Sequence, residues 1–331
     1  VRVVLALGGN AMTSPDGAAR PEDQLAAIRV AMRSTARLVA AGHDLVLTHG
    51  NGPQVGNLLV KNELAAHVVP PVPLDWCGAQ TQGTIGFMIL DELEAALAAE
   101  GTDVPVAGLV TRTLVDQADP NFAHPTKPIG RYLPEAQART MIDHGQTWED
   151  RGERGWRRVV ASPEPVEVLD APAMQTLLAQ GYVVVGAGGG GIPVVRDADG
   201  RLRGVEAVID KDLTAALLAR RLEADVLVIA TDVEHAAVDW GTPAQRDLTS
   251  VPLTEMRGYA AAGQFASGSM GPKVDAAIRF VESGGPRSII TSLERITEAI
   301  EGGHGTRILP DPAPDDHAGD PTGQASTRHT S

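Results

Sequence analysis

The stretch Val3-Val4-Leu5-Ala6-Leu7-Gly8-Gly9-Asn10 is an unbroken apolar run that ends abruptly in glycine. It reads as a buried strand followed by a turn that only glycine allows. The same pattern returns at Leu45-Val46-Leu47-Thr48-His49-Gly50-Asn51-Gly52 and at Tyr182-Val183-Val184-Val185, which leads through Gly186-Ala187 into Gly188-Gly189-Gly190-Gly191. Without a Cβ in the way, backbone N–H groups in such turns can approach an anion closely.

Outward from these strands, helical and extended patterns alternate. Apolar residues recur at helical spacing from Gln24 to Ala41, and Gly42 stops them. The strand Asp44–His49 leads into a helix through about Ala66, with Pro53 in the first turn, where proline is tolerated. A helix is expected over Cys77–Glu100 and a strand over Val104–Val110. After residue 165 the spacing predicts helices at Ala173–Gln180, Asp212–Leu222, Thr254–Ala262, Lys273–Glu282 and Leu293–Ile300. It predicts strands at Val183–Gly186, Val226–Ala230, Ser288–Thr291 and Thr306–Leu309. This order predicts an α/β fold, a three-layer α/β/α sandwich around a mainly parallel sheet. Between about Gln117 and Pro165 the periodicity fails, and Trp148 and Trp156 are among the few large anchors. A structureless loop of that length is improbable in a compact fold, so an inserted subdomain or lid is expected there. Residues 310–331 are poor in large apolar side chains and are expected to form a disordered tail.

The composition narrows the function. Of 331 residues 43% are hydrophobic and only 3% aromatic, which suits aliphatic strands under alanine-rich helices. The net charge of -14, from 28 basic and 42 acidic residues, argues against a nucleic-acid partner. Cys77, the single cysteine, cannot form an internal disulfide, and no apolar run reaches the length of a membrane span. With no signal-like opening segment, a cytoplasmic location is expected.

Several motifs invite a function and fail on context. Residues 186–191 satisfy G-x-G-x-x-G, and Glu206 follows at about the dinucleotide-binding distance. The next residues, Ile192-Pro193-Val194-Val195, form an extended run where a nicotinamide-binding fold needs a helix. There is no Walker A sequence; Gly271-Pro272-Lys273 has the wrong spacing. The nine histidines show no metal-ligand spacing, and no nucleophile elbow or Ser-His-Asp pattern occurs.

What remains is the set of glycine turns together with Lys127, Lys211 and Lys273. Lys127 lies between two prolines that stiffen its backbone. Lys211 opens a helix between Asp210 and Asp212, which could simply complement the helix dipole, although Asp210 follows an apolar pair and needs a partner. Lys273 also opens a helix. Each has an ordinary structural reading by itself. Glycine turns after successive parallel strands, with two lysines at helix starts and a third on a proline-stiffened loop, point to a protein that holds and moves phosphoryl groups.

These segments, in order, resemble the carbamate kinases, a group within the amino acid kinase superfamily. The resemblance runs from Val1 to about Leu309 and is carried by Ala6–Ala11, Thr48–Gly56, Pro73–Asp75, Pro125–Gly130, Trp156–Val160, Gly188–Pro193, Gly204–Asp212 and Gly268–Lys273. It implies one domain over 1–309: an acceptor lobe over about 1–165 that includes the lid, and a nucleotide lobe over about 166–309. It further implies a homodimer and reversible transfer between ATP plus carbamate and ADP plus carbamoyl phosphate, with Mg²⁺ carried on the nucleotide and no protein metal ligand.

On this resemblance Lys127, Asp210, Lys211 and Lys273 are catalytic, with Asp210 orienting the lysines and Lys127 entering from the lid. Gly8, Gly9, Asn10, Gly50, Asn51, Gly52, Gly189 and Gly190 surround the acceptor and the transferred phosphoryl. Thr231, Asp232, Val233, Met270 and Gly271 join Lys211 and Lys273 around the nucleotide. Arginine, purine or other nitrogen catabolism would all suit such an enzyme. Three departures stand out: Ala236-Ala237 where the family has a tyrosine near adenine, Gly130-Arg131-Tyr132-Leu133 in the lid, and Trp76 near the expected acceptor pocket. Two rivals remain open, another small-acid kinase of the superfamily and a catalytically weak nucleotide sensor of the same fold.

Overall fold

A computed structural model of the protein describes residues 1–8, 20–265 and 270–312. Gly9, Asn10 and most of the expected disordered tail lie outside the described residues, as do Gly268 and Ser269. In chain order the first elements are β1 (Arg2–Leu7), α1 (Pro21–Ala40), β2 (Asp44–His49), α2 (Gly52–Ala65), α3 (Leu74–Ala99), β3 (Val106–Gly108) and β4 (Arg112–Val115). Next come β5 (Lys127–Leu133), α4 (Glu135–Asp143), β6 (Thr147–Asp150), β7 (Trp156–Val160), β8 (Pro165–Val168), α5 (Ala171–Ala179), β9 (Val183–Val185), β10 (Ile192–Arg196) and β11 (Leu202–Gly204). The remainder is α6 (Lys211–Arg221), β12 (Val226–Thr231), β13 (Ala237–Val238), β14 (Arg246–Asp247), β15 (Ser250–Pro252), α7 (Leu253–Ala261), α8 (Met270–Glu282), β16 (Arg287–Ser292), α9 (Ile296–Glu301) and β17 (Thr306–Leu309).

The main sheet has eight strands in the order β15-β17-β16-β12-β1-β2-β9-β3. From β3 to β16 every pairing is parallel; β17 runs antiparallel to β16 and carries β15 with it. Alternation along the strands divides the core in two. Val3, Leu5 and Leu7 of β1, with Leu45 and Leu47 of β2, pack against α1, α3 and α9. Val4 and Ala6, with Val46, Leu227 and Ile229, pack against α5, α6, α7 and α8. Both faces are covered, so these strands carry apolar residues without interruption. From β1 the chain moves to β2 on one side, and β12 later pairs on the other. The crevice at the carboxyl end of β1 is therefore a switch point of the kind where open α/β sheets gather ligands.

The irregular stretch of the sequence contains an antiparallel sheet, β5-β7-β6, closed by α4. It has its own small core of Leu133, Ala138 and Trp148, backed by Met141 and Trp156. A second sheet, β11-β10-β4-β8, was not anticipated. It joins Arg112–Val115 to the extended run after the glycine quartet.

Candidate active site

The carboxyl ends of β1, β2 and β12, the glycine quartet, and the starts of α2, α6 and α8 enclose a cavity of about 1050 Å³. Gly8, Gly50, Asn51, Gly52, Gly189, Lys127, Asp210, Lys211, Thr231 and Lys273 all line it. The three lysines come from three different elements. Lys127 opens β5 in the three-stranded sheet, Lys211 opens α6, and Lys273 sits in the first turn of α8.

Two carboxylates at the head of α6 organise the lysines. Asp210 caps the helix, accepting from the backbone N–H of Asp212 at 2.9 Å, and its other oxygen accepts from Lys127 Nζ at 2.7 Å. Burial works to raise the Asp210 carboxyl, but the Lys127 ammonium, aided by Lys211 and the backbone bond, holds it below its usual value. Asp212 is buried and receives both other lysines: Lys211 Nζ donates to its Oδ1, and Lys273 Nζ stands 3.5 Å from Oδ2. Lys273 is itself buried, and desolvation pulls its ammonium below its ordinary value despite the opposing pull of Asp212. From sequence alone Asp212 reads only as a dipole-complementing acid. Its role depends on α8 packing against α6, which no local pattern displays.

The glycine turns are less uniform than their sequences. Gly8 N–H bonds to Ala230 O and Gly50 N–H to Leu7 O, both at 2.9 Å, so these two glycines extend the strand ladder instead of offering donors to the cavity. Asn51 does not cap α2; its side chain donates to Thr81 Oγ1 and leaves the amino end of the helix, beginning at Gly52, against the cavity. Gly190 lies beneath the wall: its N–H bonds to Ala187 O, and its carbonyl accepts from the Thr113 and Thr214 hydroxyls. Gly189, at φ +66°, does reach the cavity, and a Cβ there would come within 2.1 Å of Asn51 Nδ2. Thr231 lines the cavity and donates to Asp232, which is exposed; Val233, Met270 and Gly271 stand outside the lining. Trp76 projects from α3 at 61% exposure, also outside it, and Ala236 and Ala237 are core residues.

His49 lies buried under Gly188, where a Cβ would meet its Nε2 at 2.2 Å. Burial pushes its pKa down to about 4, so the ring is neutral at neutral pH and adds no charge to the site. Charge in the cavity therefore rests on the lysines, the two aspartates and arginines on the rim, among them Arg131 and Arg157.

A sequence model described as the amino acid kinase family matches residues 1–292. The chain belongs to the amino acid kinase family. It is 44% identical to the carbamate kinase of Pyrococcus furiosus over 93% of this chain and 99% of the relative. It is 45% identical to the Escherichia coli carbamate kinase-like protein YahI over 93% and 98%. Among solved structures, the carbamate kinase of Giardia lamblia bound to AMP-PNP superposes with a TM-score of 0.89 at 41% identity, covering 94% of this chain and 98% of that one. The mainly parallel sheet between helical layers is the fold of this family. No helix among the described residues is long and apolar enough to cross a membrane.

Proposed function

We propose that the protein catalyses reversible phosphoryl transfer between ATP and carbamate, forming ADP and carbamoyl phosphate. The observation that carries this reading is the gathering of Lys127, Lys211 and Lys273 around one cavity at the ends of the sheet strands. Near full-length identity to carbamate kinases supports it.

Carbamate brings its own anionic oxygen, so attack on the γ-phosphorus needs no general base, which fits a site whose histidine is buried and neutral. The obstacle is repulsion between two anions and charge on the transferring phosphoryl oxygens. Lys211 and Lys273 meet that charge, held in place by Asp212. Lys127, held by Asp210, approaches from the three-stranded subdomain, which acts as a lid over the acceptor. The residues before about 165 hold the acceptor and those after it the nucleotide. Asp232, Val233, Met270 and Gly271, outside the lining in this structure, belong to the nucleotide side in this scheme.

Magnesium enters as part of the nucleotide substrate. Asp210 and Asp212 are both engaged by lysines, and no cluster of three or more candidate metal ligands occurs among the described residues. That donor set suits an ion carried by phosphates and water, the usual habit of Mg²⁺. A homodimer and a cytoplasmic location complete the proposal.

The test is ATP formation from ADP, Mg²⁺ and carbamoyl phosphate, measured beside a panel of other acyl phosphates. Turnover with carbamoyl phosphate as the best donor is expected. Preference for another acyl phosphate would make the protein a different small-acid kinase, and nucleotide binding without turnover a sensor.

A further inference from the structure

Beside the main cavity lies a smaller one, of about 280 Å³, lined by Pro128, Tyr132, Arg151, Arg154 and Arg157. Three guanidiniums converging on one concavity repel one another unless something negative joins them. Glu149 reaches Arg151. Arg157 donates to the uncharged Tyr132 hydroxyl at 3.4 Å and lies 5.0 Å over its ring, and Arg154 stands beside the same hydroxyl. Arg154 first, and then Arg157, draw the phenol below its usual pKa, as expected beside uncompensated positive charge. Arg157 Nε is buried and has no hydrogen-bond partner among the described residues. Guanidinium forks that line one cavity are suited to an oxyanion, and a phosphate-type ligand would supply the missing negative charge.

We propose that this cavity is a second oxyanion site, separate from the lysine cluster, that takes inorganic phosphate or an ion of the same charge and shape. Pro128 and Arg157 belong to both cavities. A dianion held by Arg151 and Arg154 therefore also holds Arg157, and occupancy of the second site is felt at the first. The binding claim stands whether or not the carbamate kinase reading does, because it concerns the unliganded protein.

The experiment is titration of the full chain with inorganic phosphate by calorimetry, at pH 8 and constant ionic strength maintained with chloride, without nucleotide. The same titration is run on Arg151→Ala/Arg154→Ala and on Arg151→Lys/Arg154→Lys. We expect the alanine pair to lose one equivalent of phosphate seen in the wild type, its affinity falling about tenfold or more for each guanidinium removed. The lysine pair should keep part of it, and turnover without phosphate should not change in either variant. An alanine-pair isotherm that overlays the wild type overturns the proposal, as does a wild-type chain that binds no phosphate. Should the alanine pair fail to fold, Arg154→Gln alone, on an exposed side chain, decides the matter by the same comparison.

Discussion

Asp210 and Asp212 stand two residues apart at the head of one helix, yet they make ion pairs of opposite character. Asp210 meets Lys127, whose side chain is 37% exposed and belongs to a separate small sheet. Asp212 meets Lys211 and Lys273 with all three side chains at 13% exposure or less. The first pair is close to solvent and joins two bodies, so it can open when a substrate offers Lys127 a better anion. The second is sealed into the seam between α6 and α8 and keeps two ammonium groups at fixed positions. Placement by helices suits charges that must be ready before substrate arrives. Placement by an exposed pair suits a charge delivered on binding.

The most severe way to break this contrast is to remove the buried carboxylate. Asp212→Ala leaves two buried ammonium groups side by side. A loss of about 3–5 kcal/mol in unfolding free energy is expected from denaturant titration, together with loss of turnover. Asp210→Ala should cost far less stability. Equal losses from the two would erase the distinction. Next come the lysines. Lys211→Ala and Lys273→Met, the latter chosen to retain the volume of the buried stem, should lower kcat by about 10²–10³ in folded protein. Near wild-type turnover in either variant would remove that lysine from the chemistry.

Lys127→Ala sharpens the other side of the comparison. Its pair with Asp210 is partly exposed, so the unfolding free energy should change by no more than about 1 kcal/mol. The expected kinetic signature is a raised KM for carbamoyl phosphate with little change in KM for ADP. A defect confined to the nucleotide would put Lys127 in the wrong half of the site.

How much of this was legible beforehand follows from where each interaction is encoded. Strands such as Arg2–Leu7 and Val226–Thr231 are buried on both faces, so each announces itself as an apolar run, and their ends fall within a residue or two of expectation. The sheet joining Arg112–Val115 to Pro165–Val168 and Ile192–Arg196 was illegible, because its short strands pair across long separations and have no shared local pattern. The site divides the same way. Lys127, Lys211 and Lys273 were visible through their prolines and helix starts. Asp212 was missed because its partner Lys273 arrives only when α8 packs on α6. Gly8 and Gly50 were read as anion donors, whereas their N–H groups belong to a ladder that runs one residue beyond the apolar runs.

The smallest expected effect lies in the pH dependence, where both ends of the network should make stability rise with pH, Asp210 in acid and Lys273 in alkali. Asp210 has a folded pKa below its ordinary 3.8, so the native state releases its proton more readily than the unfolded chain does. Its contribution to stability is complete above the unfolded pKa and disappears as pH falls through the folded one. Asp210→Asn should therefore flatten the acid limb of the unfolding curve. Lys273 has a folded pKa below its ordinary 10.5, so in the window between the two values the unfolded chain holds more protons than the native protein. Stability from this group then rises with pH through that window, while turnover falls because the ammonium is lost. Lys273→Met should abolish the rise and leave the acid limb intact. An alkaline limb of stability that is the same in wild type and Lys273→Met would mean that burial between α6 and α8 does not perturb this lysine, and the contrast between the sealed pair and the open one would rest on geometry alone.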